Sequence, residues 1–225
     1  MNTITIEEKH EIAVSGWIRK HRNEMLPADI IRMIFNFYFH VIDSVILDHQ
    51  EQNSLFKLLN NRLNKDTKSN KTYISLELLY RASENSYDAE IFHEKCDNKG
   101  ATVVIIENEY DEIYGGFTSV SWDINLESCD DPKSFLYSIK PKLNTFELND
   151  KSGKDVITNY PGDGPIFGTG SDLWICNNCN KSTSNGVNPS TYDFIKYKDL
   201  AGVKYRKTNS FTIKDYEVFS VEIIR

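Results

Sequence analysis

The chain has few of the residues from which catalytic and metal sites are usually built. Its 225 residues include only four cysteines and five histidines. Four of these histidines lie within the first 49 residues, which leaves His93 alone in the rest of the chain. A nucleophilic serine or cysteine usually needs a histidine base, and no G-x-S-x-G motif is present. A hydrolase with a serine-histidine-acid triad would therefore have to be built around His93.

The sequence also lacks the signals that direct a chain into a membrane. Residues 1–14 contain no basic region followed by an apolar one, as a signal peptide would. The longest apolar-rich run, residues 30–47, is interrupted by Arg32, Asn36 and Asp43, so it is too polar to span a bilayer. We expect an intracellular protein whose thiols are reduced.

An excess of basic residues is missing as well. The 26 Lys and Arg side chains face 33 Asp and Glu, for a formal net charge of -7. This balance disfavours binding to nucleic acid or to anionic membrane surfaces, because both need a basic face. Hydrophobic residues make up 40% of the chain, as in globular proteins, and its length fits one large domain or one domain with an appendage. Such a chain can fold without disulfides or metal.

Glycine and proline are scarce in the first 64 residues, where only Gly16 and Pro27 occur. The apolar positions after Pro27 are spaced as one stripe of a helix, and they are Ile30, Ile31, Ile34, Phe35 and Tyr38. Apolar side chains at 55–63 predict a second helix, and the polar run 64–71 predicts a loop.

Short strand-like runs separated by turn residues dominate the chain from Ser75 onward. The predicted strands are Leu76–Ala82, Ala101–Glu107, Glu112–Trp122, Phe135–Ile139, Thr145–Leu148, Val156–Tyr160, Leu173–Cys176, Phe211–Ile213 and Glu217–Ile224. A helix over Tyr87–Cys96, capped by Asn85 or Ser86, lies between the first two. This order predicts the α+β class, as an antiparallel β-sandwich with an N-terminal helical lead.

The glycine-rich segment 162–170 is superficially similar to a phosphate-binding loop. Such a loop opens a helix, whose first N–H groups bind the anion. Here the strand predicted at Leu173–Cys176 follows, and no Lys-Ser or Lys-Thr pair is present. The pattern therefore favours a tight turn between strands over a nucleotide site.

Two cysteine motifs allow a zinc site in principle. Cys176-Asn-Asn-Cys179 and His93-Glu-Lys-Cys96 would supply three thiolates and one imidazole. There is no second C-x-x-C, and the loop-like residues after Cys179 do not fit a thioredoxin-type motif. We favour ordinary reduced thiols, with His93 on a helix surface.

The remaining charged residues suggest no site. The pairs Asp130/Asp131 and Glu107/Glu109 fit solvated turns and strand edges. Arg81 ends an apolar strand, where it could pair with a buried carboxylate or bind a partner, and the sequence leaves both open. We predict no catalytic, cofactor-binding or metal-ligating residues, and no cofactor.

An ordered series of motifs resembles the TLDc domain. The first half is carried by Leu78-Leu-Tyr-Arg-Ala-Ser83, Phe92-His-Glu-Lys-Cys-Asp-Asn-Lys-Gly100, Gly115-Gly-Phe-Thr-Ser119 and Trp122. The second half is carried by Asp131-Pro-Lys-Ser-Phe-Leu-Tyr-Ser138, Gly164-Pro-Ile-Phe-Gly168, Asp172-Leu-Trp-Ile175, Asn178-Cys-Asn180 and Glu217-Val-Phe219. These blocks follow the family's order over about residues 44–222.

The resemblance implies an antiparallel two-sheet β-sandwich with flanking helices, in agreement with the pattern of strands. TLDc domains belong to the oxidation-resistance protein family, so it also implies resistance to oxidative stress and regulation of the vacuolar-type proton ATPase through its peripheral subunits. The family has no agreed catalytic residues. We expect a helical lead at 1–43 and a TLDc-like domain at 44–225. The expected location is the cytoplasm, including the cytosolic face of vacuolar or endolysosomal membranes, without direct membrane insertion.

Three functions follow as hypotheses. The first is a non-enzymatic interaction module that makes contacts through the loops Pro161–Asp172 and Asn177–Pro189. The second is a thiol-dependent antioxidant enzyme, which needs Cys96 or Cys179 as an exposed thiolate of low pKa beside a cation. The third is an adaptor that recruits a partner through the lead. For the lead we favour a helix docked on the sandwich.

Overall fold

The computed structural model describes residues 41–63, 73–188, 190–193, 200 and 210–224. The helix predicted after Pro27 and the loop predicted at 64–71 lie outside these residues. Within them, no helix has the length and apolar character needed to cross a bilayer.

The helices of the described residues are α1 (His49–Leu63), α2 (Ala82–Asn85) and α3 (Ala89–Cys96). Helix α1 confirms the predicted second helix and begins at a reciprocal pair of hydrogen bonds. The Glu51 amide donates to Asp48 Oδ1 at 2.9 Å, and the Asp48 amide donates to Glu51 Oε2 at 2.8 Å. This capping box pairs two N–H groups that helix formation would leave free.

Helix α3 begins later than predicted. Its N-cap is Asp88, whose side chain accepts a hydrogen bond from the Glu90 amide. The predicted caps, Asn85 and Ser86, instead form the end of the short helix α2. The cap prediction was wrong because the pattern of apolar residues did not reveal this extra turn.

The first sheet has the strand order β1-β12-β2-β3-β5-β6, and its neighbouring strands are antiparallel. Its strands are β1 (Tyr73–Arg81), β2 (Thr102–Asn108), β3 (Ile113–Thr118), β5 (Phe135–Lys140), β6 (Asn144–Phe146) and β12 (Ile213–Ile224). Within the described residues, the first strand β1 and the last strand β12 pair with each other, so this edge of the sheet joins residues that are far apart in the sequence.

The second sheet, of shorter strands, has the order β11-β10-β9-β8-β7-β4. Its strands are β4 (Ser128–Cys129), β7 (Ile157–Thr158), β8 (Asp163–Phe167), β9 (Leu173–Cys176), β10 (Asn185–Gly186) and β11 (Ser210–Phe211). The described residues thus confirm the predicted antiparallel two-sheet sandwich with flanking helices.

The two sheets pack closely around an inner core. Val104 and Ile106 of the first sheet share this core with Phe167 of the second. A Cβ atom at Gly116 would lie 2.7 Å from the Phe167 ring, so the missing side chain is what allows this approach.

The first sheet is buried on its other face as well. Val103 and Ile105 point into an outer core, which is closed by the apolar face of α1 and by segment 42–47. This explains why β2 is a continuous apolar run, since alternation is expected only where one face meets water.

Candidate functional site

The two thiols proposed for redox catalysis lie in the protein interior. Cys96 and Cys179 are both 0% exposed. Burial raises the pKa of each thiol well above its ordinary value. A reactive cysteine needs the opposite, an accessible thiolate of low pKa. The structure therefore argues against direct thiol chemistry at these positions.

The residues of the hypothetical zinc site are buried but do not form a ligand set. The part of the chain that the structure describes contains no group of three or more His, Cys, Asp or Glu residues placed to hold a metal ion. All four cysteines lie in that part, and none is joined in a disulfide.

His93 was predicted on a helix surface, and this was wrong. The ring is buried, with Nδ1 at 2.8 Å from Asp97 Oδ1. Its Nε2 lies 3.2 Å from the Tyr160 carbonyl oxygen and 3.1 Å from that of Asp163. Because both nitrogens are engaged, His93 connects α3 to the loop before β8 and is not free to act as a general base.

The glycine-rich segment is largely a core strand and not the predicted turn. Residues 164–168 are buried, and β8 occupies 163–167. The following Asp172 is buried, and its carboxylate accepts bonds from the amides of Ser190, Thr191 and Tyr192. These three amides therefore already have an anionic partner. Much of the predicted contact loop Pro161–Asp172 is thus inaccessible.

One of the carboxylates assigned to solvated turns is also internal. Asp131 is buried and accepts bonds from the Thr118 hydroxyl and from the Ser119 and Lys133 amides. These bonds end β3 at Thr118, four residues before the predicted end. Its neighbour Asp130 is exposed, as predicted.

Arg81 pairs with a buried carboxylate, which is one of the two alternatives that the sequence left open. Its Nε donates to Glu217 Oε1 at 2.8 Å, and the two residues are opposite each other in β1 and β12. Burial by itself lowers the pKa of Arg81, but its bonds to Glu217, Glu84 and Asp43 raise it overall. Arg81 is therefore a permanent cation inside the fold.

The same ion pair holds the chain that precedes α1. Glu217 accepts bonds from the Ser44 hydroxyl at 2.6 Å and the Val45 amide at 2.9 Å, while Arg81 Nη2 donates to the Asp43 carbonyl at 2.5 Å. We call Arg81, Glu217 and the bonded residues 43–45 the strand anchor. The strand anchor holds segment 42–47, which covers one side of the outer core.

A different group of residues is directed toward solvent. Ile124 is 44% exposed, Leu126 48% and Tyr160 61%. We call these three side chains the loop face. The other large exposed apolar side chains of the described residues lie in the segment before α1, in the β2–β3 and β5–β6 loops and in β12, and they are Val41, Val45, Tyr110, Leu143 and Ile223.

The two loops that carry the loop face are fixed by buried polar side chains. Asn159 is buried, and its side-chain Oδ1 accepts a hydrogen bond from the Asp123 backbone amide at 3.2 Å. The backbone amide of Asn159 donates to the Glu127 carbonyl at 3.1 Å. Asp97 Oδ2 accepts the Ile124 amide at 3.1 Å. We call His93, Asp97 and Asn159 the loop frame. It joins α3 to the loops that carry the loop face.

Comparison with known proteins identifies the family. The sequence matches the TLDc domain over residues 41–222. The chain belongs to the TLDc domain family. This TLDc chain is also 33% identical over 51 residues to the MTOR-associated protein MEAK7 from Danio rerio. The aligned stretch covers 23% of this chain and only 11% of the length of that relative.

The loop face of this TLDc domain was not found from the sequence. Its only sequence signal is that Ile124 and Leu126 alternate with Asp123, Asn125 and Glu127 in a polar connection. Such alternation is typical of a strand, but the strand predicted over Glu112–Trp122 ends before these residues, and no strand or site was predicted there. Trp122, directly before this connection, is buried, so the change from buried to exposed apolar residues falls within a few residues.

Proposed function

We propose that this TLDc domain is a non-enzymatic interaction module that binds and regulates the vacuolar-type proton ATPase. The observation that carries the proposal is the family match over residues 41–222. The relative from Danio rerio is named for association with another protein, and we extend a role in protein association to this chain. Through this regulation the domain would contribute to resistance against oxidative stress.

Two features of the fold support an interaction role over an enzymatic one. The candidate thiols, Cys96 and Cys179, are buried with raised pKa values. The loop face, in contrast, presents three large apolar side chains on fixed loops, and clustered exposed apolar residues are typical of protein interfaces. The proposed location is the cytoplasm, with recruitment to the cytosolic face of membranes that carry the ATPase.

The direct test is binding of the full chain to the purified peripheral sector of a vacuolar-type ATPase. We expect co-elution in size-exclusion chromatography and a concentration-dependent change in ATP hydrolysis. The peripheral sector of an F-type ATPase is the control, and it should show neither effect. Failure to bind the vacuolar-type sector under conditions that keep it assembled would overturn the proposal.

A second test separates regulation from peroxide chemistry. The purified chain should not accelerate peroxide decay. Cys129 is the most accessible of the four thiols, since the other three are buried. A Cys129→Ser variant should therefore protect cells from peroxide as well as the wild type does. Loss of protection in this variant, with ATPase binding intact, would restore the thiol hypothesis.

A further inference from the structure

The loop face is held in position before any partner arrives. Residues 123–127 and the loop at 160–163 are connected through Asn159, and His93 fixes the second loop to α3. Asp97 bonds both His93 and the Ile124 amide. Because these loops are already ordered by internal hydrogen bonds, little backbone entropy is lost when they bind.

Several carboxylates lie on the side of α3 that meets the loops of this surface. His93 marks that side, since its ring contacts the Tyr160 loop. Glu90 and Asp97 lie three residues before and four after His93, which places them on the same side, and Glu94 is four residues after Glu90. Glu90 and Glu94 are exposed, and Glu127 adds an exposed carboxylate on the loop itself.

The lysines of this region do not share the side of α3 that carries these carboxylates. Lys95 is two residues after His93, so it points away from the side of α3 that faces the Tyr160 loop. Lys99 follows the helix and is exposed. The described surroundings of the loop face are therefore acidic on α3 and on the 123–127 loop, and Lys99 adds a positive charge just after α3.

We propose that the loop face binds an amphipathic protein segment that presents apolar side chains flanked by Lys or Arg. This inference rests on the proposed interaction role and specifies the site and the chemistry of the partner. Ile124, Leu126 and Tyr160 bury the apolar side of the segment, while the carboxylates of α3 and Glu127 attract its cations. The acidic surroundings disfavour an anionic membrane as the occupant.

The apolar half of the proposal is tested with the triple variant Ile124→Ser/Leu126→Ser/Tyr160→Ser. The matched control removes three exposed apolar side chains elsewhere, as Val45→Ser/Leu143→Ser/Ile223→Ser. Thermal denaturation establishes that both variants are folded. We expect affinity for the purified vacuolar-type peripheral sector to fall at least tenfold in the first variant and less than twofold in the control.

The electrostatic half is tested by charge reversal at exposed positions. Glu90→Lys/Glu94→Lys should weaken binding about tenfold at low salt, with a smaller difference at high salt because ions screen exposed charges. Lys99→Glu should strengthen binding, and it controls for a general effect of substitution in this region. If the wild type and the two charge variants bind with equal affinity, the basic character assigned to the partner segment is wrong.

A defined peptide keeps the site testable if the ATPase is not the partner. The probe is a labelled amphipathic peptide with a Leu face flanked by Arg, compared with its Arg→Glu counterpart. Preferential binding of the Arg peptide that the triple variant abolishes would support the site even if the wild type does not bind the ATPase. Binding that is indifferent to peptide charge or to the variant would overturn the site.

Two further outcomes are decisive. If the wild type binds the ATPase and the triple variant binds it equally well, the loop face is not the interface, although the proposed function stands. If the wild type sediments with phosphatidylserine vesicles and the triple variant does not, the occupant is a membrane, and the protein-segment assignment is wrong.

Discussion

The strand anchor and the loop frame both use buried polar side chains to hold a segment of chain, but with opposite results. The anchor contains a charged pair, Arg81 and Glu217, which holds residues 43–45 so that Ile46 and Leu47 enter the outer core. The loop frame instead holds its loops so that apolar side chains remain outside. One region uses its polar groups to complete the core, and the other uses them to present a surface.

This difference shows which kind of group each task requires. Charges removed from water are stable only when paired and fully hydrogen-bonded, and breaking such a pair is strongly destabilising. The anchor should therefore be essential to the fold. Most of the frame's bonds to the loops are made to neutral backbone groups. Losing such a bond costs less stability than leaving a buried charge unpaired. The frame should therefore be essential only to the loops.

The largest effect is expected at the anchor. Arg81→Ala leaves the Glu217 carboxylate buried without its cation, which should lower the free energy of unfolding by about 3–5 kcal/mol. Urea denaturation measures it. Lys214→Ala is the control, since Lys214 pairs with Glu107 and Asp111 at the surface and should contribute less than about 1 kcal/mol.

A double variant makes the comparison sharper. Arg81→Met/Glu217→Leu removes both charges together, so it should recover most of the stability that Arg81→Ala loses. If Arg81→Ala by itself destabilises no more than Lys214→Ala does, the anchor is a surface-like pair, and the contrast with the loop frame disappears.

The second effect is a loss of stability in alkali. Unfolded thiols release their protons near pH 8.5, whereas burial raises the pKa of Cys96 and Cys179, so the folded state keeps its protons to higher pH. The unfolded state then binds fewer protons, and stability falls as pH rises above that value. The expected slope is about 1.4 kcal/mol per pH unit for each thiol.

Urea denaturation between pH 7.5 and 9 measures this slope below the range in which unfolded tyrosines lose their protons, and Cys96→Ala should reduce it by about half. The stability that this variant loses at pH 7.5 gives the separate effect of packing. Cys96 lies in α3, the helix that carries His93 of the loop frame. Arg81 of the anchor stays charged over this pH range, so it should not contribute to the slope. A slope that Cys96→Ala leaves unchanged would contradict the role of buried thiols.

Parts of the fold were predictable because one physical pattern dominated them. The continuous apolar run in β2 and the leucines of α1 reflect burial that does not depend on distant residues. The short strands β4, β8 and β10 were missed, because β4 has only two residues and β8 and β10 contain Gly, Pro or Asn, so all three become strands only through their neighbours. The remaining strand pattern still predicted the fold class, and the ordered TLDc motifs agreed with it.

The candidate site was less predictable for a related reason. Asp131 and Asp172 sit in turn-like sequences, and only the folded chain brings backbone amides to their carboxylates. His93 looks like a surface residue until the loop before β8 packs on it. Exposure of Tyr160 likewise depends on how the loops fold together and not on local composition.

The third effect concerns the loop frame. Asn159→Ala removes the acceptor of the Asp123 amide and should destabilise the domain by about 1–2 kcal/mol. Hydrogen exchange should accelerate at the amides of 123–127, because local opening requires less free energy than global unfolding. Amides beside the anchor, such as Val45, should keep their protection. If both regions lose protection equally, the frame and the anchor form one cooperative unit.

The smallest effect on stability is expected at the loop face itself. Ile124→Ser replaces a side chain that is 44% exposed, so the free energy of unfolding should change by less than about 0.5 kcal/mol. Ile105→Ser is the matched comparison, since Ile105 is fully buried in the outer core and its loss should exceed about 2 kcal/mol. Thermal and urea denaturation of the two variants measure the difference. An Ile124→Ser variant as unstable as Ile105→Ser would mean that Ile124 packs within the fold and is not available to a partner.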